Sequence, residues 1–187
     1  VIATPSKASY IDSLLKLSFE TEGVFAIRYG KDKGDSIKET LDASFDTFDV
    51  LKESFSDIAI LSIGPNSIEL ADLAENNNID VSIYCPLFVK PFNNELLNKL
   101  ANYKKVIIYD PTSIESGFAL DLYYKLKQLN KDIEIIVKAI PLKHIAQATI
   151  KEQEKILKIS PKDIIDLLRG WLFILFKFSF IYNIIML

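Results

Sequence analysis

Ile79-Asp80-Val81-Ser82-Ile83-Tyr84-Cys85-Pro86-Leu87-Phe88-Val89-Lys90-Pro91-Phe92-Asn93-Asn94-Glu95-Leu96-Leu97 decides how this chain is read. Its first half is a short apolar run around Val81 and Ile83, entered from Asn76-Asn77-Asn78 and closed by Pro86. A run of that length between turn signals, with an amphipathic segment after it, predicts a buried strand feeding a helix. Pro91 biases Lys90 towards extended backbone. Asn93 is placed to cap the helix that Glu95 begins and that runs to about Asn102.

Outward from that stretch the same alternation repeats. Asp57 to Gly64 is continuously apolar between its ends, the mark of a central strand buried on both faces. Gly64-Pro65-Asn66-Ser67 then opens a helix to about Glu75; one glycine after a strand is a tight turn, not a dinucleotide fingerprint. Lys105 to Asp110 is the next strand, Phe118 to Leu129 an amphipathic helix with Phe118, Leu122, Leu126 and Leu129 on one face, and Ile133 to Val137 a further strand. Ser160 caps a last helix whose first position is Pro161. Before the central run, Val1-Ile2-Ala3 reads as a strand end. A helix follows from about Lys7 to Glu20, with Ile11, Leu14, Leu15 and Phe19 as its buried stripe, and Val24 to Tyr29 is a strand. Alternating strands and helices of this kind give an α/β fold with a mostly parallel sheet and helices on both faces, preceded by the end of a second α/β domain.

Composition narrows the function classes. The chain has 187 residues, 49% hydrophobic and 25% charged, enough for one sizeable core. A net charge of −3 and a pI near 5.3 argue against sequence-independent nucleic-acid binding. The one cysteine, Cys85, excludes an internal disulfide and reads as a small buried apolar residue. The one histidine, His144, excludes a multi-histidine metal site. Val1 opens into Thr4-Pro5-Ser6 with no signal-peptide pattern, and a first residue other than Met suggests a piece of something longer.

Phe88-Val89-Lys90-Pro91-Phe92-Asn93, between strand and helix, resembles the FVKPLD segment of the thiamine-diphosphate-dependent transketolase family, in its 1-deoxy-D-xylulose-5-phosphate synthase branch. Gly23-Val24-Phe25-Ala26-Ile27-Arg28-Tyr29-Gly30-Lys31 is similar to that branch's GPAAIRYPRG. The order of matches runs from Val1 to about Arg169. The resemblance implies a C-terminal portion. Residues 1–33 would end the middle, pyrimidine-binding-type domain, and 34–56 would be a linker. Residues 57–169 would form the transketolase C-terminal-like domain, leaving 170–187 as an apolar tail past the family's usual end. At under ~20 residues and with Lys177 inside it, that tail falls slightly short of a membrane span, and it reads as sequence past the natural end or a damaged gene, with an anchor as the alternative.

The implied reaction joins a two-carbon unit from pyruvate to glyceraldehyde 3-phosphate, with loss of CO2, to give 1-deoxy-D-xylulose 5-phosphate. Thiamine diphosphate and Mg2+ would serve the full-length enzyme, held by a GDG-type motif, a glutamate and histidines that this chain does not carry, so it is expected to be inactive alone. Its partners would be the missing N-terminal and middle domains, on the same or a separate chain, within a cytoplasmic homodimer. In the family the second arginine of RYPRG helps hold the acceptor's phosphate. Lys31 stands there, keeping the charge but losing the planar two-pronged donor. Arg28 aligns with the first arginine, as ligand contact or structural ion pair. His144 replaces a phenylalanine and is expected to be packed. Asp110, where the family has paired glutamates, is expected at a turn or interface. The competing reading is a non-catalytic dimerisation module or a degenerate remnant.

Overall fold

The computed structural model describes residues 1–29 and 41–171. Among these, eight strands and six helices alternate: β1 (Ile2–Ala3), α1 (Ile11–Glu20), β2 (Ala26–Ile27), β3 (Phe48–Lys52), β4 (Ile58–Ser62), α2 (Asn66–Asn76), β5 (Ser82–Pro86), β6 (Phe88–Lys90), α3 (Asn94–Ala101), β7 (Lys105–Ile114), α4 (Phe118–Leu129), β8 (Glu134–Ile140), α5 (Ile150–Leu157) and α6 (161–171).

The main sheet has the order β3-β5-β4-β7-β8. β5, β4, β7 and β8 are mutually parallel, and β3 closes one edge antiparallel to β5. Every residue of β4 and β5 is buried, as their unbroken apolar runs require of strands covered on both faces. Side-chain alternation splits the core in two. Ile58, Ile60 and Ile83 pack with Leu70 and Ala74 of α2 and with Ile164, Ile165 and Leu168 of α6. Ala59, Leu61 and Tyr84 pack on the other face, with Leu96 and Leu100 of α3 and Leu122 and Leu126 of α4. The result is an α/β/α sandwich wound both ways from β4.

Local chemistry sets the helix ends. The Asn93 side chain accepts the Leu96 amide at 2.6 Å and caps α3 where the sequence placed the cap. Thr149 and Glu152 form a reciprocal capping box on α5, and Ser160 with Asp163 does the same for α6. Gly64 turns the chain from β4 into α2 at φ +82°, a left-handed conformation that other residues adopt at a cost.

Residues 1–29 do not stand apart. β1 pairs parallel with β2 on one side and antiparallel with β6 on the other, so a second, three-stranded sheet β2-β1-β6 joins the N-terminal unit to the main domain. Ser6 and Tyr10 both donate to Asp49 on β3, at 2.7 and 2.9 Å, and strengthen that junction.

Three sequence expectations change. The stretch read as a linker over 34–56 holds β3, because Phe48, Val50 and their neighbours find a partner edge in β5. Of the α1 stripe, Leu14 is buried, but Leu15 and Phe19 are 45% and 89% exposed, since the described layer covers only one side of that helix. His144 is exposed and not packed, because 141–149 runs over the surface without regular structure. Lys31 and residues 172–187 of the tail lie outside the described residues.

Candidate functional site

In an open sheet wound both ways from one strand, ligands bind beyond the carboxyl ends of the strands, where the winding reverses. Here that point lies between β4 and β7, since β5 lies on one side of β4 and β7 and β8 on the other. A crevice of about 330 Å3 opens there, lined by Gly64 and Pro65 after β4, Thr112 of β7, and Thr4, Ile27, Arg28 and Tyr29 of the N-terminal unit. The volume suits a small molecule. A second cleft, of about 390 Å3 along α4 and β8, is lined mainly by Leu120, Tyr123, Val137 and Leu142. It has Glu115 as its one charged group, and that carboxylate already accepts the Leu142 amide at 3.2 Å. Charge and position both favour the first crevice.

Its chemistry is built on Asp110, whose side chain is fully buried in β7, just past the residues that pair with β4. One carboxylate oxygen accepts the Thr112 amide at 3.2 Å and the Thr112 hydroxyl at 2.8 Å; the other accepts the Ser113 hydroxyl. An aspartate bonding the amide two residues on is an Asx turn, one of the two roles, turn or interface, that the sequence offers for it. The register shift against β8 between Asp110 and Ile114 makes room for it. Arg28 reaches the same place from β2. It donates to the Thr112 hydroxyl and lies 3.7 Å from the Asp110 carboxylate. Its charge is thereby largely balanced, and Arg28 itself is part of the crevice lining. The Thr4 hydroxyl, also in the lining, is buried without a hydrogen-bond partner among the described residues.

Burial pushes the Cys85 thiol up to about 12, so it stays protonated at neutral pH, and Tyr109 is raised by burial as well. Tyr109 donates to the Ile159 carbonyl at 2.8 Å and accepts from Asn66, which ties the segment between α5 and α6 to the sheet.

Of the two residues singled out for phosphate, Arg28 lies in the crevice and Lys31 lies outside the described residues. Sequence reasoning did not find Thr4 or Thr112, and for Asp110 it gives a turn or interface position but not its hold on Arg28. The Asp110-Pro111-Thr112-Ser113 run carried a readable signal, a turn-forming acid followed by two hydroxyls. Among the described residues no group of three or more histidine, cysteine or acidic side chains could hold a metal. Asp110, with its oxygens committed to Thr112, Ser113 and Arg28, does not fit as a ligand for Mg2+ or as a partner for thiamine diphosphate.

No family model matches the chain. It is 31% identical over 156 residues to the 1-deoxy-D-xylulose-5-phosphate synthase of Azobacteroides pseudotrichonymphae, covering 79% of this chain and 24% of that protein. To a synthase of Thermus thermophilus it is 27% identical over 142 residues, 75% of this chain and 23% of the relative. To that of Nocardia farcinica it is 22% identical over 186 residues, 91% and 29%. The chain thus spans about a quarter of the length of the curated relatives it matches. Among solved structures, a split-gene transketolase described as an inactive β4 tetramer superposes with a TM-score of 0.75 at 18% identity, covering 90% of this chain and 56% of the other. At that identity the superposition speaks for the fold. The chain is thus similar in sequence to the C-terminal portion of 1-deoxy-D-xylulose-5-phosphate synthases, and its fold is transketolase-like.

Proposed function

We propose that this chain is the C-terminal portion of a thiamine-diphosphate-dependent synthase that condenses pyruvate with glyceraldehyde 3-phosphate to 1-deoxy-D-xylulose 5-phosphate and CO2. The observation that carries the reading is the match over 156 residues to a synthase of which it covers 24%. Residues 1–33 end the middle domain, 57–169 are the C-terminal domain with β3 as its added edge, and 170–187 are a tail. The remaining three-quarters, on the same or a separate polypeptide, supplies the cofactor and Mg2+ sites, in a cytoplasmic homodimer.

Lys31 and Arg28 are the residues we assign to the acceptor's phosphate. Arg28 supports this as part of the lining of a crevice at the switch point. Its pairing with Asp110 favours the second reading, a non-catalytic module or remnant in which Arg28 only clamps the N-terminal unit to β7.

On its own the chain is inactive and assembles with copies of itself. The split-gene neighbour, an inactive β4 tetramer, supports both statements by analogy. The test is to incubate the chain with pyruvate, glyceraldehyde 3-phosphate, thiamine diphosphate and Mg2+, alone and with the part of the Thermus synthase that lacks the matching segment. Product is expected in the second mixture, and there Lys31→Ala and Arg28→Ala should raise the KM for glyceraldehyde 3-phosphate several-fold with kcat little changed. Product from the chain alone would sink the reading. A KM unmoved by either substitution would leave the clamp role.

A further inference from the structure

Two groups in the switch-point crevice have no use within the fold. The first is the Thr4 hydroxyl. The Thr4 amide donates to the Leu87 carbonyl at 2.9 Å, but the hydroxyl has no hydrogen-bond partner among the described residues, although the residue is only 2% exposed. A buried hydroxyl left unpaired costs stability, and this one belongs to the lining of an open crevice, where a bound molecule can pair with it. The second is the N-terminus of α2. Pro65 stands at the cap position with neither a side-chain acceptor nor an amide hydrogen, and no side chain among the described residues caps the helix. Gly64 and Pro65 line the same crevice, so the positive end of an 11-residue helix opens at it.

Both groups lie beside a cation. The Arg28 amide donates to the Ala3 carbonyl at 2.9 Å, which sets Arg28 next to Thr4, and Arg28 carries the only charge among the described lining residues. Its guanidinium is 3.7 Å from Asp110, beyond hydrogen-bond distance, so the two balance charge without a direct bond. A hydroxyl, an uncapped helix N-terminus and a guanidinium around one crevice of about 330 Å3 suit a small oxyanion. Resting on the assignment of Arg28 to phosphate, we propose that the Thr4 hydroxyl and the N-terminus of α2 hold a phosphate-type oxyanion here together with Arg28, either a substrate's phosphate group or free phosphate. The anion then bridges the N-terminal unit, through Thr4 and Arg28, to the main domain, through α2.

Calorimetric titration of inorganic phosphate into the chain tests the site without the rest of a synthase. Phosphate should bind, and Thr4→Val, which keeps the shape and removes one donor, should weaken binding about ten-fold. Thr4→Ser keeps the hydroxyl and should bind as the unaltered chain does. Because that hydroxyl has no partner within the chain, Thr4→Val should leave the urea midpoint unchanged or raised, whereas a lowered midpoint would mark a structural role and overturn the proposal. Pro65→Asp places a carboxylate at the cap and should abolish binding, with far-UV circular dichroism showing the helices retained. No phosphate binding, or binding unmoved by Thr4→Val and Pro65→Asp, would also overturn it. In the mixture with the complementing part of the Thermus synthase, phosphate that competes with glyceraldehyde 3-phosphate would assign the site to the acceptor's phosphate, and phosphate that binds without competing would assign it to the free anion. A mixture that forms no product would count against the synthase reading and leave the binding result standing.

Discussion

Replacing Asp110 with alanine should be the most costly single change at the crevice. The carboxylate is fully buried and accepts from the Thr112 amide, the Thr112 hydroxyl and the Ser113 hydroxyl. Hydrogen bonds to an ionised acceptor contribute about 1.5–3 kcal/mol each. They do not simply add, because Thr112 supplies two of them and can turn towards solvent. Roughly 3–4 kcal/mol is the expected loss, or a fall in Tm of about 10 °C for a chain of this size. The ion pair with Arg28 adds little, since the arginine is about one-third exposed and screened by water. Arg28→Ala should therefore cost no more than about 1 kcal/mol. In the double variant the Arg28 change should cost almost nothing further, because the group it balanced is already gone. Asp110→Asn keeps an acceptor for Thr112 but loses the charge, and should fall between. Urea unfolding followed by circular dichroism measures all four. A loss below about 1 kcal/mol for Asp110→Ala, or one equal to that of Arg28→Ala, would refute the idea that this carboxylate anchors β7 beyond its pairing with β4.

Three further predictions concern the main domain and its junction with residues 1–29. Asn93→Ala removes the cap of α3 and the amide that donates to the Asp46 carbonyl at 2.9 Å; a loss of about 1–2 kcal/mol is expected, and an unchanged urea midpoint would contradict it. Burial raises the Cys85 thiol from its ordinary 9.0 to about 12, and burial first, then Asp49, raises the Tyr10 hydroxyl from 10.0 to about 12. Both are neutral in the folded chain where the unfolded chain has lost the proton, so the unfolded state binds fewer protons as pH rises. The stability they contribute is whole below pH 9 and is lost between there and about pH 12. Cys85→Ala should flatten that decline. A thiol reagent at pH 8 should label Cys85 only as fast as the chain opens, and rapid labelling of the native chain would contradict its burial.

The main sheet was legible because its strands are covered twice. Runs such as Ile58-Ala59-Ile60-Leu61 admit one explanation, and cap residues such as Asn93 and Ser160 stand where the backbone leaves amides unpaired. The N-terminal unit was less legible for a physical reason. Periodicity reports that a residue is apolar, not which neighbour covers it, and α1 presents apolar residues to two sides with one side covered. β3 was missed because an antiparallel edge strand of five residues, two of them charged, carries no more pattern than a loop.

The crevice was hidden more deeply, since Arg28 and Thr112 are 84 positions apart and meet through a pairing that neither residue makes. Phe88-Val89-Lys90 brings them together. As β6 it takes β1 antiparallel along one edge, with Thr4 donating to the Leu87 carbonyl at 2.9 Å, and β1 in turn holds β2 parallel. That fixes Arg28, the residue after β2, over the ends of β4 and β7. The stretch that decides the fold by its turn chemistry therefore also positions the site, through backbone pairing that tolerates almost any side chain. A one-residue slip in that short pairing would turn the Ala3 and Phe88 side chains out of the core between the units and carry Arg28 away from Asp110. The clamp and the three-stranded sheet thus specify the same register. Loss of either should loosen residues 1–29 while leaving the double-sided core around β4 in place.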